Sequence, residues 1–433
     1  MLHSKVKKLI LFTLIAPLLS YAQTTTSDSS KYLSQIKYYT KTIDQQPKDA
    51  NAYSKRGSAR FALNDYKGAI TDLTEAIKLN PDQKIAVVNR GRAFLAIKDY
   101  KSAANDFTTY IKMTPASAVG YYNRGLTKRY MEDYNGALAD YTQACTLDPK
   151  DADAFNEIGL VKKRLADYTG AIAAFEKAIK LNPNDFKPYN NIGLVKNLQN
   201  DFEGALVYLN KALEYDNKNE SIYYNIGDAK RNLKDYGSAI FNYTKAVELA
   251  PSFIDAYNNR GVCKFNMQDY EGDIEDANKV IAIDPKYSNA YFNRGLASTM
   301  LKNYNGAVDD FTTFIGLRPD MAESYFRRAN AKLYLEDFTS AIDDYTQAIK
   351  LDTKYVDAFN NRGVCKRYLE DYKGAIKDYD QAIILSPKYS NAYFNRGYAK
   401  HVLNDNADAC ADFKISADMG DKNARDSIEK YCK

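Results

Sequence analysis

Eight asparagines recur at one phase of the chain: Asn89, Asn123, Asn191, Asn225, Asn259, Asn293, Asn361 and Asn395 stand 34 residues apart, or a multiple of 34. A carboxamide carries both donor and acceptor, so it can bond bidentately to a peptide unit. A row of them could hold an extended chain through its backbone, largely regardless of that chain's sequence. Each bond contributes only about 1 kcal/mol net, so several must act together. One residue earlier, the same phase alternates polar side chains with aromatic ones: Tyr122, Tyr224, Phe292, Phe326 and Phe394. Aromatics exposed on a wall anchor partners. Aromatics packed between helices do not, and spacing leaves both readings open.

Other chemistry is scarce. Of the two histidines, His3 falls in an apolar leader, so His401 stands alone. A Ser–His–Asp arrangement or a multi-histidine metal site is thereby excluded elsewhere. The glycines follow the repeat and form no phosphate-binding loop. The acidic residues are scattered evenly by the same repeat. No catalytic residue, metal ligand or cofactor is expected, and an enzyme is the least favoured class.

The period explains these placements. "PKYSNAYFNRG" runs from Pro285 to Gly295 and again from Pro387 to Gly397. The separation is three times 34. Stepping by 34 from Gly57 meets glycine at every repeat up to Gly397 except at Ala329, and stepping from Pro47 meets proline except at Asn217 and Thr353. Eleven full units fit between 50 and 421. Such stacked units share a continuous core with their neighbours, so length does not set a domain count here.

Each unit reads as a helical hairpin. Counting Ala50 as position 1, the first stretch carries Ala52, Tyr53, Ala59, Ala62 and Leu63 at helical spacing. Asp65 is placed to cap the second helix. Tyr66, Ala69, Ile70, Leu73, Ala76 and Ile77 give that helix its apolar stripe, and Pro81 ends it. A half-unit, 32–49, precedes the array and fits the second helix only. Residues 422–433 read as a capping helix.

These residues resemble a tetratricopeptide repeat: the aromatic at Tyr53, Gly57, Ala69, Leu73, Ala76, Pro81 and their successors. The resemblance implies an all-α, right-handed α-solenoid of about eleven repeats. It also implies a concave groove lined by the first helices, and protein or peptide partners held there by asparagines at this phase. The carboxylate clamp of chaperone-tail binders is absent. Position 5 has no lysine, and Asn330, Lys187 and Arg327 are each alone of their type at positions 9, 2 and 6.

Two columns depart from that pattern. Position 7 is arginine in eight units and isoleucine in three, Ile158, Ile192 and Ile226. Position 23 is aspartate in those same eight units and only there. The covariation predicts an ion pair between the two helices of one unit, since a buried arginine without a partner is costly. Position 11 is lysine in eight units, from Lys128 to Lys400. Its stem is expected to pack between helices with the ammonium in water; a basic lining for acidic partners is the alternative.

The ends set the compartment. Lys5, Lys7 and Lys8 precede an apolar run that stops at Ser20 and Ala22. Residues 1–22 therefore read as a signal peptide, too short to span a bilayer, followed by a flexible lead at 23–31. Without those three lysines, 57 basic residues face 55 acidic ones, which offers no case for nucleic acid. The expectation is an exported chain, periplasmic or secreted, with no transmembrane segment after cleavage. Cys410 and Cys432 lie symmetrically about Asp421, so an antiparallel hairpin would bring them together as a disulfide or as two free thiols. The function expected is a non-catalytic binding scaffold. The alternative is a structural part of an envelope or secretion assembly that binds through its convex face or edges.

Overall fold

A side-chain cap at the start and, in most repeats, a proline turn at the end fix the second helix of the pair. The computed structural model describes residues 26–432, which form 24 helices and no strand. Second helices begin where Asp65, Asp99, Asp133 and their successors, Asp405 excepted, accept a hydrogen bond from the backbone N–H three residues on. That bond satisfies one of the unpaired donors of a helix start. A representative repeat pairs Ser288–Met300 with Tyr304–Leu317.

The turn between paired helices holds a feature the sequence does not announce. Its second residue is left-handed in all eleven repeats, from Asn64 (φ 63°) to Asn404 (φ 63°), and none of the eleven is glycine. The turn closes with the Asp65 N–H donating to the Arg60 carbonyl at 3.0 Å. A non-glycine residue there costs roughly 1–2 kcal/mol, which the closing bonds and the packing of both helices offset.

Close packing explains the glycine column. A Cβ built on Gly159 would lie 2.4 Å from Cε1 of Phe175 in the partner helix. Cores are shared between neighbours: Ala69, Leu73 and Ala76 of one repeat cluster with Ala86 and Ala93 of the next.

The helices divide into two compact bodies. The first, up to Tyr215, holds the helix Thr26–Gln45 and five repeats. The second, from Asp216, holds six repeats and the closing helix Lys422–Tyr431. The first helix begins at Thr26, inside the stretch expected to be a flexible lead. Serine, threonine and aspartate favour helix starts as much as loops, so composition could not separate the two. The proposed signal peptide lies outside the described residues.

All eight position-7 arginines meet the position-23 aspartate of their own repeat, from Arg56–Asp72 at 2.7 Å to Arg396–Asp412 at 2.5 Å. The third arm of each guanidinium donates to position 25 of the preceding helix pair, as Arg260 Nη1 does to Thr244 Oγ1 at 3.0 Å. The same side chain thus braces one hairpin and ties it to its neighbour.

The position-11 lysines do not reach free into water. Where an aspartate stands at position 23, the lysine takes its second oxygen: Lys128–Asp140 2.8 Å, Lys264–Asp276 3.0 Å, Lys332–Asp344 2.7 Å, Lys366–Asp378 2.8 Å and Lys400–Asp412 2.9 Å. In the three isoleucine repeats it turns instead to the helix-capping aspartate, as Lys196 does to Asp201 at 2.6 Å. A carboxylate has two oxygens, and the second one captures the lysine. These amines are therefore not a basic lining.

Cys410 and Cys432 are joined as a disulfide, with Cα atoms 5.7 Å apart. Cys145, Cys263 and Cys365 are buried free thiols.

Candidate binding face

Within each body, successive first helices touch one another, whereas successive second helices do not among the described residues. The first helices are therefore the inner layer, and each body bends toward them. Positions 2, 5, 6, 9 and 12 of the repeat belong to this inner layer.

The asparagine row is present, but much of its bonding is internal. Asn191, Asn293 and Asn395 donate from Nδ2 to the Oδ1 of Asn156, Asn258 and Asn360 in the preceding repeat, at 2.9, 3.1 and 3.0 Å. Asn89 donates to Ser58 Oγ at 3.0 Å, and Asn123 to its own Val119 carbonyl at 2.8 Å. Asn259 and Asn361 are engaged at both ends. Asn259 donates to Asp228 and to the Tyr224 hydroxyl, each at 3.1 Å, and accepts from Asn258 at 3.2 Å. Asn361 donates to Asn330 and accepts from Asn360. Asn225 is buried in the same row. Bidentate capture of a peptide unit is thus unavailable at Asn259 and Asn361. At Asn89, Asn191, Asn293 and Asn395 the acceptor Oδ1 is the end not used in these bonds.

The position-5 aromatics are packing residues. Tyr122 meets Tyr141, Phe292 meets Phe311 and Phe314, and Phe394 meets Phe413, with centroids 5.1–5.9 Å apart. Tyr224 sits against Tyr243 and Phe253, and Phe326 against Tyr345 and Tyr355. Each presses on the second helix of its own repeat, so none is an exposed anchor.

A set of buried polar clusters escaped the reading of the sequence. Four repeats carry tyrosine at position 24, and each hydroxyl is buried at the inner layer. Tyr243 donates to Asp228 Oδ1 at 2.6 Å, with Arg231 Nε donating to the same hydroxyl at 3.3 Å. Tyr141 donates to Glu157 Oε2 at 3.1 Å, beside Arg129 at 2.9 Å from that oxygen. Tyr345 donates to Asn330 Oδ1 at 2.6 Å. The Tyr379 hydroxyl has no hydrogen-bond partner, although Arg367 is close by. Burial pushes the Glu157 and Asp228 carboxyls up, against the pull of Arg129 on the one and of Tyr243 on the other. The signal was in the sequence: arginine occurs at position 12 only in repeats with tyrosine at position 24, as Arg129, Arg231 and Arg367.

Tetratricopeptide repeat profiles match residues 54–118, 125–165, 167–198, 186–219, 220–253, 254–287, 322–355 and 356–389. The chain belongs to the tetratricopeptide repeat family. No curated protein matches it. Among solved structures it is similar to MamA, at 26% identity and a TM-score of 0.36, over 37% of this chain and 95% of that one. It is also similar to the Cut9–Hcn1 hetero-tetramer of APC/C, at 13% identity and a TM-score of 0.44, over 93% of this chain and 94% of that one. A third is YrrB, a TPR protein with an unusual peptide-binding site, at 21% identity and a TM-score of 0.36, over 42% and 95%.

Among the described residues of this tetratricopeptide array, no cluster of His, Cys, Asp and Glu is arranged to hold a metal ion. No described helix is long and apolar enough to cross a membrane. Burial pushes the thiols of Cys263 and Cys365 up to about 12, where they are poor nucleophiles.

Proposed function

We propose that the chain is a non-catalytic scaffold that binds protein or peptide segments along its first-helix face. The observation that carries this reading is the inner layer of each body: a row of touching first helices that presents one phase of side chains from repeat to repeat. Within each body the Oδ1 atoms, of Asn89 and Asn191 in the first and of Asn293 and Asn395 in the second, supply acceptors for the N–H groups of an extended chain. They act as single-point contacts beside the braces that hold them in place. Membership in a family of protein-binding repeats supports the same reading.

The alternative is a structural component that docks through the second helices. Exposed apolar side chains there, Val207, Phe241 and Ile384, favour it. Export belongs to the proposal as well. It rests on the basic and apolar order of residues 1–22, and a disulfide suits an oxidising compartment. A photo-crosslinker placed at 293, and separately at 241, discriminates the two. Capture of flexible peptides from 293 supports the scaffold. Capture of one folded neighbour from 241, with none from 293, overturns it.

A further inference from the structure

Three repeats pair an arginine at position 12 with a tyrosine at position 24. Two of them hold a carboxylate against the pair. Glu157 Oε2 lies 2.9 Å from Arg129 Nε and accepts from the Tyr141 hydroxyl at 3.1 Å. Asp228 Oδ1 accepts from the Tyr243 hydroxyl at 2.6 Å and lies 3.7 Å from Arg231 Nη2. The third repeat has Arg367 and Tyr379 without such an acid. Glu157 stands at position 6 of the following repeat and Asp228 at position 9 of its own; in the third cluster those places belong to Asn395 and Val364. Asn395 Nδ2 already donates to Asn360 at 3.0 Å.

We infer that Arg367 is a subsite for an acidic side chain of a bound peptide, whose carboxylate is the counterpart of Glu157 and Asp228 in the two sister clusters. The inference rests on reading the first-helix face as the peptide-binding wall.

Two buried polar groups are unmatched here. Tyr379 is fully buried, and its hydroxyl has no hydrogen-bond partner. Arg367 Nε is also sealed from water without a partner, whereas its Nη atoms are not sealed. The guanidinium lies against two rings instead, with its carbon 4.6 Å from the centroid of Tyr368 and 5.3 Å from that of Tyr398. Other first-helix cations outside ion pairs, such as Lys55, Arg92 and Lys187, leave no buried nitrogen unmatched. The rings hold the guanidinium in place, so a carboxylate arriving at its Nη edge gains two charge-assisted hydrogen bonds at little ordering cost. Position 12 also lies outside the clamp positions 2, 5, 6 and 9.

The adjoining surface sets what flanks the acid. Position 13 is asparagine in the first two repeats of this body, Asn232 and Asn266, and then becomes Met300, Tyr334, Tyr368 and Val402, all four exposed. Tyr334 and Tyr368 are held by stacking on Tyr304 and Phe338, with centroids 4.8 and 4.7 Å apart. Apolar side chains beside the carboxylate suit that row.

The test uses the full chain and a short fluorescein-labelled peptide of repeated leucine, glutamate and serine, acetylated and amidated at its ends, with a twin carrying glutamine for glutamate. Fluorescence anisotropy is read for wild type, Arg367→Met, Arg367→Gln, Val364→Asp and Arg92→Met, each checked for a cooperative melting curve. Val364→Asp supplies an internal acid where Asp228 stands in its sister repeat. The expected result is glutamate binding at least about tenfold tighter than glutamine, lost in both Arg367 variants and in Val364→Asp, and kept in Arg92→Met. Equal affinity for the two peptides overturns the subsite and leaves the peptide-wall reading to the crosslinking result. A glutamate preference that survives in either Arg367 variant or in Val364→Asp, its loss in Arg92→Met, or no binding of either peptide overturns the subsite too.

Discussion

Arg294 grips Asp310 with two parallel hydrogen bonds, Nε to Oδ2 at 2.9 Å and Nη2 to Oδ1 at 2.5 Å, across the two helices of one repeat. Its remaining arm donates to Asn278 Oδ1 in the preceding repeat at 2.5 Å. One side chain thereby couples hairpin geometry to repeat stacking, which is what keeps the inner layer in register.

Removing only the acid strands the arginine. Asp310→Ala is expected to cost about 3–5 kcal/mol in urea unfolding followed by far-ultraviolet dichroism. Asp310→Ala with Arg294→Ile should regain most of that loss, since Ile158, Ile192 and Ile226 fill the same position without a partner. A double variant no more stable than the single one would refute the pairing.

Asp273 is the one acid at position 20, where the other ten repeats have alanine. It is buried, its Oδ2 has no hydrogen-bond partner, and Asp276, Asp269 and Lys264 are the charges around it. Burial first, and Asp276 next, push it from 3.8 up to about 6. A raised acid binds its proton more tightly when folded, so its contribution is fully present below about pH 4 and is lost as pH rises through about 6. Asp273→Ala should therefore gain stability at pH 8 over pH 4, by up to about 3 kcal/mol. A pH-independent difference between variant and wild type would count against this assignment.

The four buried tyrosines divide by partner. Tyr243→Phe removes a hydrogen bond to a buried carboxylate and should cost about 1.5–3 kcal/mol. Tyr379→Phe removes a hydroxyl with no hydrogen-bond partner and should be neutral or stabilising. Parallel thermal melts would show the contrast, and equal losses would contradict it.

How much of this was legible depended on what each residue needs. The Arg–Asp braces could be read because both members come and go together, and a buried charge cannot tolerate absence of its partner. The lysine contacts could not, because Asp140 and its successors already had a partner and nothing in the spacing reveals the second carboxylate oxygen. The left-handed turns left no glycine to betray them: Lys98, Glu132 and Ala166 adopt φ 60–66° as ordinary residues. The asparagine column was visible, but its bonds to Asn258 and Asn360 depend on how one repeat sits on the next. Tyr122 and Phe292 could have faced outward or inward at the same spacing, and only packing against Tyr141 and Phe311 decides.

The disulfide predicts a mass signature. Alkylation of the unfolded, unreduced chain should modify the three free cysteines, Cys145, Cys263 and Cys365, and leave Cys410 and Cys432 untouched until reductant is added. Closing a loop of this size contributes roughly 3 kcal/mol, so reduction should also lower the melting temperature. Five modifications without reductant would contradict the bridge.

The central claim is that partners lie along the first helices. Hydrogen–deuterium exchange on the full chain, alone and saturated with the partner captured from position 293, tests it most directly. Slowed exchange concentrated in Ser288–Met300, Val356–Tyr368 and Ser390–Val402 is the predicted result. Protection confined to Tyr304–Leu317 and Tyr372–Leu385, with the first helices unchanged, would contradict it.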